Sequence, residues 1–269
     1  MQPITIVTTA GRPDERSLAL AAFVCEQLHI VYEPRRKRAI TTMAKQLHAH
    51  IIVAGKDRFA YYPLSAIEPF FFHPNSAAFR LKRVARGETD PFLVATQLSK
   101  GETLLDCTLG LAADAMLGAY QVGDTGRVIG LEGNRNVAFI VKQGLQQYDV
   151  TTLPLTACMR RIEVIHAQAI DYLLMLPDNS FDVVYMDPMF EETIEEATNF
   201  TTLRHAGVQA GLTEQWVQHA VRVAKKRVVL KAHFRSTWFA SYGFQQMTRT
   251  TAKFHYGVIE KERRDEGLL

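Results

Sequence analysis

From residue 102 onward the chain alternates short β-branched apolar runs with amphipathic stretches, a pattern that fits a parallel sheet covered on both faces by helices. The expected strands are 102–107, 126–131, 161–166, 181–186 and 226–232. Two further runs, Gly243 to Met247 and Phe254 to Ile259, follow with no long helix between them. A parallel pair needs a crossover of about a dozen residues, so these two are expected to close the sheet as an antiparallel hairpin at one edge.

Residues 1–90 read differently. Ile4 to Thr8 is expected as a strand, 14–29 as a helix, and Ile51 to Tyr62 as a hairpin broken at Gly55-Lys56-Asp57, which together suggest a small α+β lobe. A basic helix carrying Arg80, Lys82, Arg83 and Arg86 should then join this lobe to the rest. The 269 residues allow one large domain with an appendage, and the expected division is 1–90 and 91–269.

Charge divides at the same place. Residues 1–90 hold 13 Lys and Arg against 8 Asp and Glu, leaving 18 against 20 for the remainder, so the basic field lies in the first part. Such a field favours encounter with a polyanion without identifying it. No run reaches the roughly 18 apolar residues of a membrane helix, and Met1 to Thr5 lacks a basic segment followed by an apolar one, so a cytoplasmic address with no membrane partner is expected. Cys25, Cys107 and Cys158 form no metal-binding spacing and are expected as reduced thiols; no metal is called for.

The strand ends carry the chemistry. The first reads Leu104-Leu105-Asp106-Cys107-Thr108-Leu109-Gly110-Leu111-Ala112-Ala113-Asp114, a strand, a small-residue turn and a helix start. Ligands of open α/β sheets bind at such carboxyl ends, and Asp106, Thr108 and Gly110 are candidate cofactor contacts. The turn has one glycine where a dinucleotide fingerprint has three, so a pyrophosphate fits poorly; a plain turn capped by Thr108 or Asp114 is the competing reading. Glu132, ending the second strand, could bond both ribose hydroxyls of an adenosine, which suits S-adenosylmethionine and NAD alike. After the third strand Gln168 could meet the adenine edge, with small Ala167 leaving room for the ring.

The fourth strand ends Val183-Val184-Tyr185-Met186-Asp187-Pro188-Met189-Phe190. A carboxylate, a rigid turn and an aromatic ring in this order could hold a planar exocyclic amine: Asp187 and the Pro188 carbonyl as acceptors, Phe190 against the ring face. Asp-Pro is also an ordinary way to stop a strand. The four strand ends together favour a methyltransferase, because NAD use leaves the Asp-Pro-Met-Phe turn without a task.

At these residues the chain resembles the ribosomal RNA small subunit methyltransferase J family, enzymes that use S-adenosylmethionine to methylate the exocyclic N2 of a guanine in small-subunit ribosomal RNA. The resemblance covers roughly residues 75–260 and is carried by the Asp-x-Thr-x-Gly-Leu turn with Asp114, Leu131-Glu132, Ile165-His166-Ala167, the Val183 to Phe190 run and Lys226 to Lys231. It implies an α/β fold, the class I methyltransferase Rossmann-like seven-stranded sheet, behind the small N-terminal α+β lobe. It also implies cofactor contacts at Ala113, Asp114, Glu132, Gly133, Gln168, Ala169 and Asp187. The family's Gly-Leu-Gly-Arg-Asp turn is here Gly110-Leu111-Ala112-Ala113-Asp114, and its serines after His-Ala are Gln168 and Ala169. Its lysine-rich segment after the Asp-Pro-Met-Phe turn is replaced by Glu191-Glu192-Thr193-Ile194-Glu195-Glu196, which would repel a phosphate backbone unless it faces away. That segment keeps a small-molecule or protein substrate open, and a nucleoside-binding module without catalysis is the alternative outside enzymes.

With RNA as the expected partner, phosphate contacts are sought among Arg35-Arg36-Lys37-Arg38 and the helix with Arg80 and Arg83, since guanidinium forks suit phosphates. Ordinary solvated charge explains these residues equally well. Phe190 would stack the target base.

Overall fold

The computed structural model describes residues 3–64, 66–150, 154–188 and 211–261. It divides into two compact units, one holding the chain through His73 together with Asn134–Gly144, the other holding Pro74–Gly133 and the described residues of 145–188 and 211–261. The break falls at His73 rather than at residue 90. The basic helix therefore belongs to the second unit.

In the first unit β1 (Ile4–Thr9), β2 (Val31–Tyr32), β3 (Ala49–Ala54) and β4 (Phe59–Tyr62) form a sheet in the order β2-β1-β3-β4. β2 and β3 both run parallel to β1, and β4 returns antiparallel to β3. The helix α1 (Glu15–Leu28) starts at Asp14, which accepts from the Ser17 N–H at 2.9 Å while the Ser17 hydroxyl accepts from the Asp14 N–H. This reciprocal cap satisfies two otherwise unpaired donors. α2 (Ile40–Leu47) buries Ile40, Met43 and Ala44 on one stripe. The sequence pattern predicts neither α2 nor the two-residue β2, because the first is short with β-branched residues in its opening turn and the second has no period to read.

The second unit contains α3 (Asn75–Ala85), α4 (Pro91–Thr96), β5 (Thr103–Asp106), α5 (Ala113–Val122) and β6 (Arg127–Glu132). After α6 (Arg135–Gln147), most of which lies in the first unit, come α7 (Leu155–Arg160), β7 (Ile162–His166), α8 (Ala169–Met175) and β8 (Phe181–Met186). The chain ends through α9 (Glu214–Val223), β9 (Ala224–His233), α10 (Trp238–Ser241), β10 (Gln245–Met247) and β11 (Phe254–Glu260). Seven strands stand in the order β10-β11-β9-β8-β5-β6-β7. The five from β5 to β9 are parallel, and β11 runs antiparallel to both β9 and β10, as the close spacing of the last two runs requires. Val183 to Met186 and Val228 to Leu230 are essentially inaccessible, which is why these strands read as continuous apolar runs.

The α/β class and seven-stranded sheet agree with the sequence reading. No helix among the described residues is long and apolar enough to cross a membrane. The three cysteines are free thiols, with Cys107 and Cys158 buried.

Candidate active site

The connections leaving β5 run outward through β6 to β7, and the chain then returns to place β8 on the other side of β5. That reversal opens a crevice at the carboxyl ends of β5 and β8, where ligands of such sheets bind. Asp106 ends one strand and Asp187 follows the other. Thr108 clips them together: its N–H donates to Asp106 Oδ1 at 3.0 Å, and its hydroxyl accepts from the Asp187 N–H at 2.7 Å. The turn is tied to both neighbouring strands, Cys107 N–H to the Tyr185 carbonyl and Leu109 N–H to the Leu131 carbonyl, each at 2.9 Å. Leu109 passes over Gly130 so closely that a Cβ there would lie 2.3 Å from its Cδ1.

Gly110 and Ala112 both adopt left-handed backbone, at φ 49° and 61°. For alanine this conformation costs about 1–2 kcal/mol, offset here by full burial and by an N–H bond to the Leu109 carbonyl at 2.7 Å. No side chain caps the start of α5 among the described residues. The capped-turn alternative is therefore not what forms: Thr108 faces Asp187, and Asp114 is engaged elsewhere.

Asp114 lies inside a buried charge network. Arg80 Nη1 donates to its Oδ1 at 2.7 Å, the Tyr185 hydroxyl to its Oδ2 at 2.8 Å, and Lys231 Nζ stands 3.6 Å from Oδ2. Burial alone would raise the Asp114 pKa, but Lys231 and Arg80 overcome it and hold the carboxyl at about 2. Arg80 also forks Asp90 with bonds of 2.9 and 2.8 Å. Lys231, near the carboxyl end of β9, donates to Asp187 Oδ2 at 2.7 Å. Burial pushes the Asp187 carboxyl above its ordinary range, and Lys231 offsets only part of that rise.

The sequence reading gives Lys231 no role of its own. The signal was available as a single lysine inside Val228-Val229-Leu230-Lys231-Ala232, a buried strand that an unpaired ammonium could not enter.

Two cations, Arg80 and Lys231, thus face the three carboxylates of Asp90, Asp114 and Asp187. A fourth, Asp106, is 1% exposed and pushed up to about 8, first by burial and then by the charges of Asp114 and Asp187, against the Thr108 N–H and Lys231. Burial and negative neighbours favour the neutral form of this carboxyl, and a cation placed beside it would favour the ionised one.

The second and third strand ends also meet. Glu132 pairs in register with His166, the Ala167 N–H donates to the Glu132 carbonyl at 3.2 Å, and Gln168 Nε2 donates to the Gly133 carbonyl at 3.3 Å. A Cβ on Gly133 would lie 2.9 Å from Gln168 Nε2, so glycine is what lets this side chain lie across the turn. Ala169 begins α8, nearly buried. Glu132, Gln168 and Asp106 therefore stand at the ends of adjacent strands of one sheet.

The candidate phosphate contacts separate. Arg80 is engaged by Asp90 and Asp114 with its side chain 20% exposed, and is not the solvent-facing guanidinium expected. Arg83 lies on the surface, paired to Glu88 at 2.7 Å. Arg35 and Arg36 belong to the first unit. Pro188 is buried, whereas Met189, Phe190 and Glu191 to Glu196 lie outside the described residues.

Residues 24–256 match the family model described as "Putative SAM-dependent methyltransferase". The uncharacterized protein YpiP of Bacillus subtilis (strain 168) is 43% identical over 255 residues, 95% of this chain and 99% of that protein. Ribosomal RNA small subunit methyltransferase J of Acinetobacter baumannii (strain SDF) is 32% identical over 115 residues, 42% of this chain and 39% of that protein. In fold, the crystal structure of the SAM-dependent methyltransferase NGO1261 from Neisseria gonorrhoeae is similar with a TM-score of 0.60 at 18% identity, covering 98% of this chain and 99% of that one. Fold, strand-end chemistry and family match agree: the chain belongs to this SAM-dependent methyltransferase family, with S-adenosylmethionine as its cofactor.

Proposed function

We propose that this methyltransferase acts on an exocyclic amine of a guanine in RNA, with small-subunit ribosomal RNA as the expected substrate. The observation that carries this reading is the Asp187-Pro188 pair at the end of β8, one residue beyond the buried strand and tied through Thr108 to Asp106. The partial likeness to a ribosomal RNA methyltransferase supports the substrate class.

S-adenosylmethionine supplies an electrophilic methyl group for in-line displacement, so the protein's work is alignment and electrostatics. Asp106 would face the cofactor's cationic end, Glu132 its ribose hydroxyls, and Gln168 with Ala169 its base; Gly110, Ala113 and Gly133 would line the backbone approach. Asp114 serves the site through its hold on Arg80, Lys231 and Tyr185. Lys231 bonds Asp187 through Oδ2 and favours its ionised form against burial, leaving Oδ1 without a partner among the described residues and open to accept from an amine N–H. Positive charge developing on the methylated nitrogen is then met by that carboxylate. Pro188 fixes the turn, and Phe190 would stack the base.

Asp187→Ala is expected to lower methyl incorporation from labelled donor by at least about 100-fold, the scale of losing a preorganised electrostatic group. S-adenosylhomocysteine affinity should change little. Normal turnover in the variant would remove Asp187 from the reaction. The four carboxylates of Glu191, Glu192, Glu195 and Glu196 favour one second reading, a small-molecule or protein acceptor. Label appearing in such an acceptor and absent from ribosomal RNA would select it.

A further inference from the structure

The small sheet of the first unit repeats the topology that creates ligand sites. Its order β2-β1-β3 means that the chain leaves β1 to one side and then crosses to the other, so a switch point lies between β1 and β3 at their carboxyl ends. Thr8 and Thr9, the last residues of β1, stand there in register with Val53 and Ala54. Both are at most 1% exposed, and neither hydroxyl has a hydrogen-bond partner among the described residues. Because successive strand residues point to opposite faces, one unsatisfied hydroxyl lies on each face of this edge.

Three loops leave the same edge and carry seven cations: Arg12 after β1, Arg35, Arg36, Lys37 and Arg38 after β2, and Lys56 and Arg58 after β3. The same loops and the first turn of α1 also carry Asp14, Glu15, Glu33 and Asp57. Asp14 is met by Lys56 at 3.3 Å and Glu33 by Arg38 at 2.7 Å, while Arg58 lies over the Phe71 ring. Arg12, Arg36 and Lys37 are exposed and have no partner among the described residues.

The loop after β2 is built to present two of them. Arg36 and Lys37 have φ of 49° and 63°, and the Arg38 N–H closes on the Arg35 carbonyl at 2.9 Å, the sign pattern of a turn that normally takes asparagine and glycine. The flanking arginines hold it shut. Arg35 Nε donates to the Arg38 carbonyl at 2.9 Å, Arg38 Nε to the Arg35 carbonyl at 3.2 Å, and Arg38 Nη2 to the Pro34 carbonyl at 2.7 Å. Two arginines are thus spent on a strained turn whose tip is an arginine and a lysine.

From this geometry we infer that the carboxyl edge of the first unit's sheet is a second binding site, which takes the phosphates of an RNA chain on Arg36, Lys37 and Arg12. Cations spread over separate loops suit a run of phosphates along a backbone better than one compact anion. The choice of RNA as occupant rests on the substrate reading above.

The test substitutes Arg36→Asn together with Lys37→Gly, residues that suit the turn while removing its charge. Anisotropy of a labelled single-stranded RNA is read against salt for wild type and variant, with S-adenosylhomocysteine calorimetry as the folding control. The variant should bind RNA about tenfold more weakly, with a log–log salt slope shallower by about 1.4, the loss of two single-strand phosphate contacts. Unchanged affinity and slope would overturn the proposal. Wild-type protein that ignores RNA yet binds inorganic phosphate through this turn would overturn RNA as the source. Binding to RNA through this turn without methyl incorporation would uphold the site and remove the RNA-methylation reading instead.

Discussion

Under the proposed cofactor contact, Asp106 would join fold stability to cofactor affinity through one proton. Its carboxyl is raised from the ordinary 3.8 to about 8, so folding takes up a proton there between those values. Its contribution to stability is therefore full below pH 3.8 and declines as pH rises toward 8. Asp114 behaves oppositely, contributing above 3.8 and losing that contribution as pH falls toward 2. A cofactor ammonium placed beside Asp106, as proposed, would have to displace its proton. S-adenosylhomocysteine affinity is accordingly expected to rise with pH, by up to about tenfold per unit until pH 8, with proton release visible by calorimetry in buffers of different ionisation enthalpy. Asp106→Asn should flatten that dependence, and a slope surviving in the variant would assign the proton elsewhere. Lys231 can be tested by removal. Lys231→Met leaves Asp187 and Asp114 short of a cation, and urea denaturation should show a loss of about 3–5 kcal/mol, the cost of breaking a buried ion pair from one side. A loss under about 1 kcal/mol would mean that solvent reaches the network freely.

At the scale of elements, the turn Arg35–Arg38 and the helix α3 show how far local sequence reaches. A run of four basic residues reads as solvated charge, and its left-handed backbone appears only once Arg35 and Arg38 are seen bonding to each other's carbonyls. Each left-handed non-glycine residue costs about 1–2 kcal/mol. Arg36→Asn with Lys37→Gly is therefore expected to raise stability by about 1 kcal/mol after the added flexibility of glycine in the unfolded chain is subtracted, measured as a higher urea midpoint at unchanged m. A lower midpoint would show that these side chains stabilise the fold through contacts of their own. In α3 the sequence marked Arg80 and Arg83 as one basic face. The structure separates them because the partners of Arg80 arrive from α4 and α5, whereas Arg83 pairs with Glu88 at the helix end. The β5 turn was more legible: a small-residue connection between an apolar strand and a helix has few conformations, and Thr108, Gly110 and Ala112 were already its notable residues.

For the whole molecule, a ligand that binds only the folded chain must stabilise it by mass action. S-adenosylhomocysteine at a hundredfold excess over its dissociation constant should add about 2.7 kcal/mol to the unfolding free energy, whereas NAD should add none, because the single-glycine turn offers a pyrophosphate no cradle. An equal shift with NAD in a thermal melt would reverse the cofactor assignment. The sheet of seven strands, its closing hairpin and the carboxylates at its strand ends were determined by the sequence alone, since apolar period, turn chemistry and strand termination act over a few neighbouring residues. Only the tertiary structure decided that Asp114 binds Arg80 and Tyr185, that Lys231 holds Asp187, and that β1 pairs in parallel with both β2 and β3. Those partners lie 34 to 71 positions apart for the charge network, a separation across which only the packed fold can bring two polar groups within 3 Å.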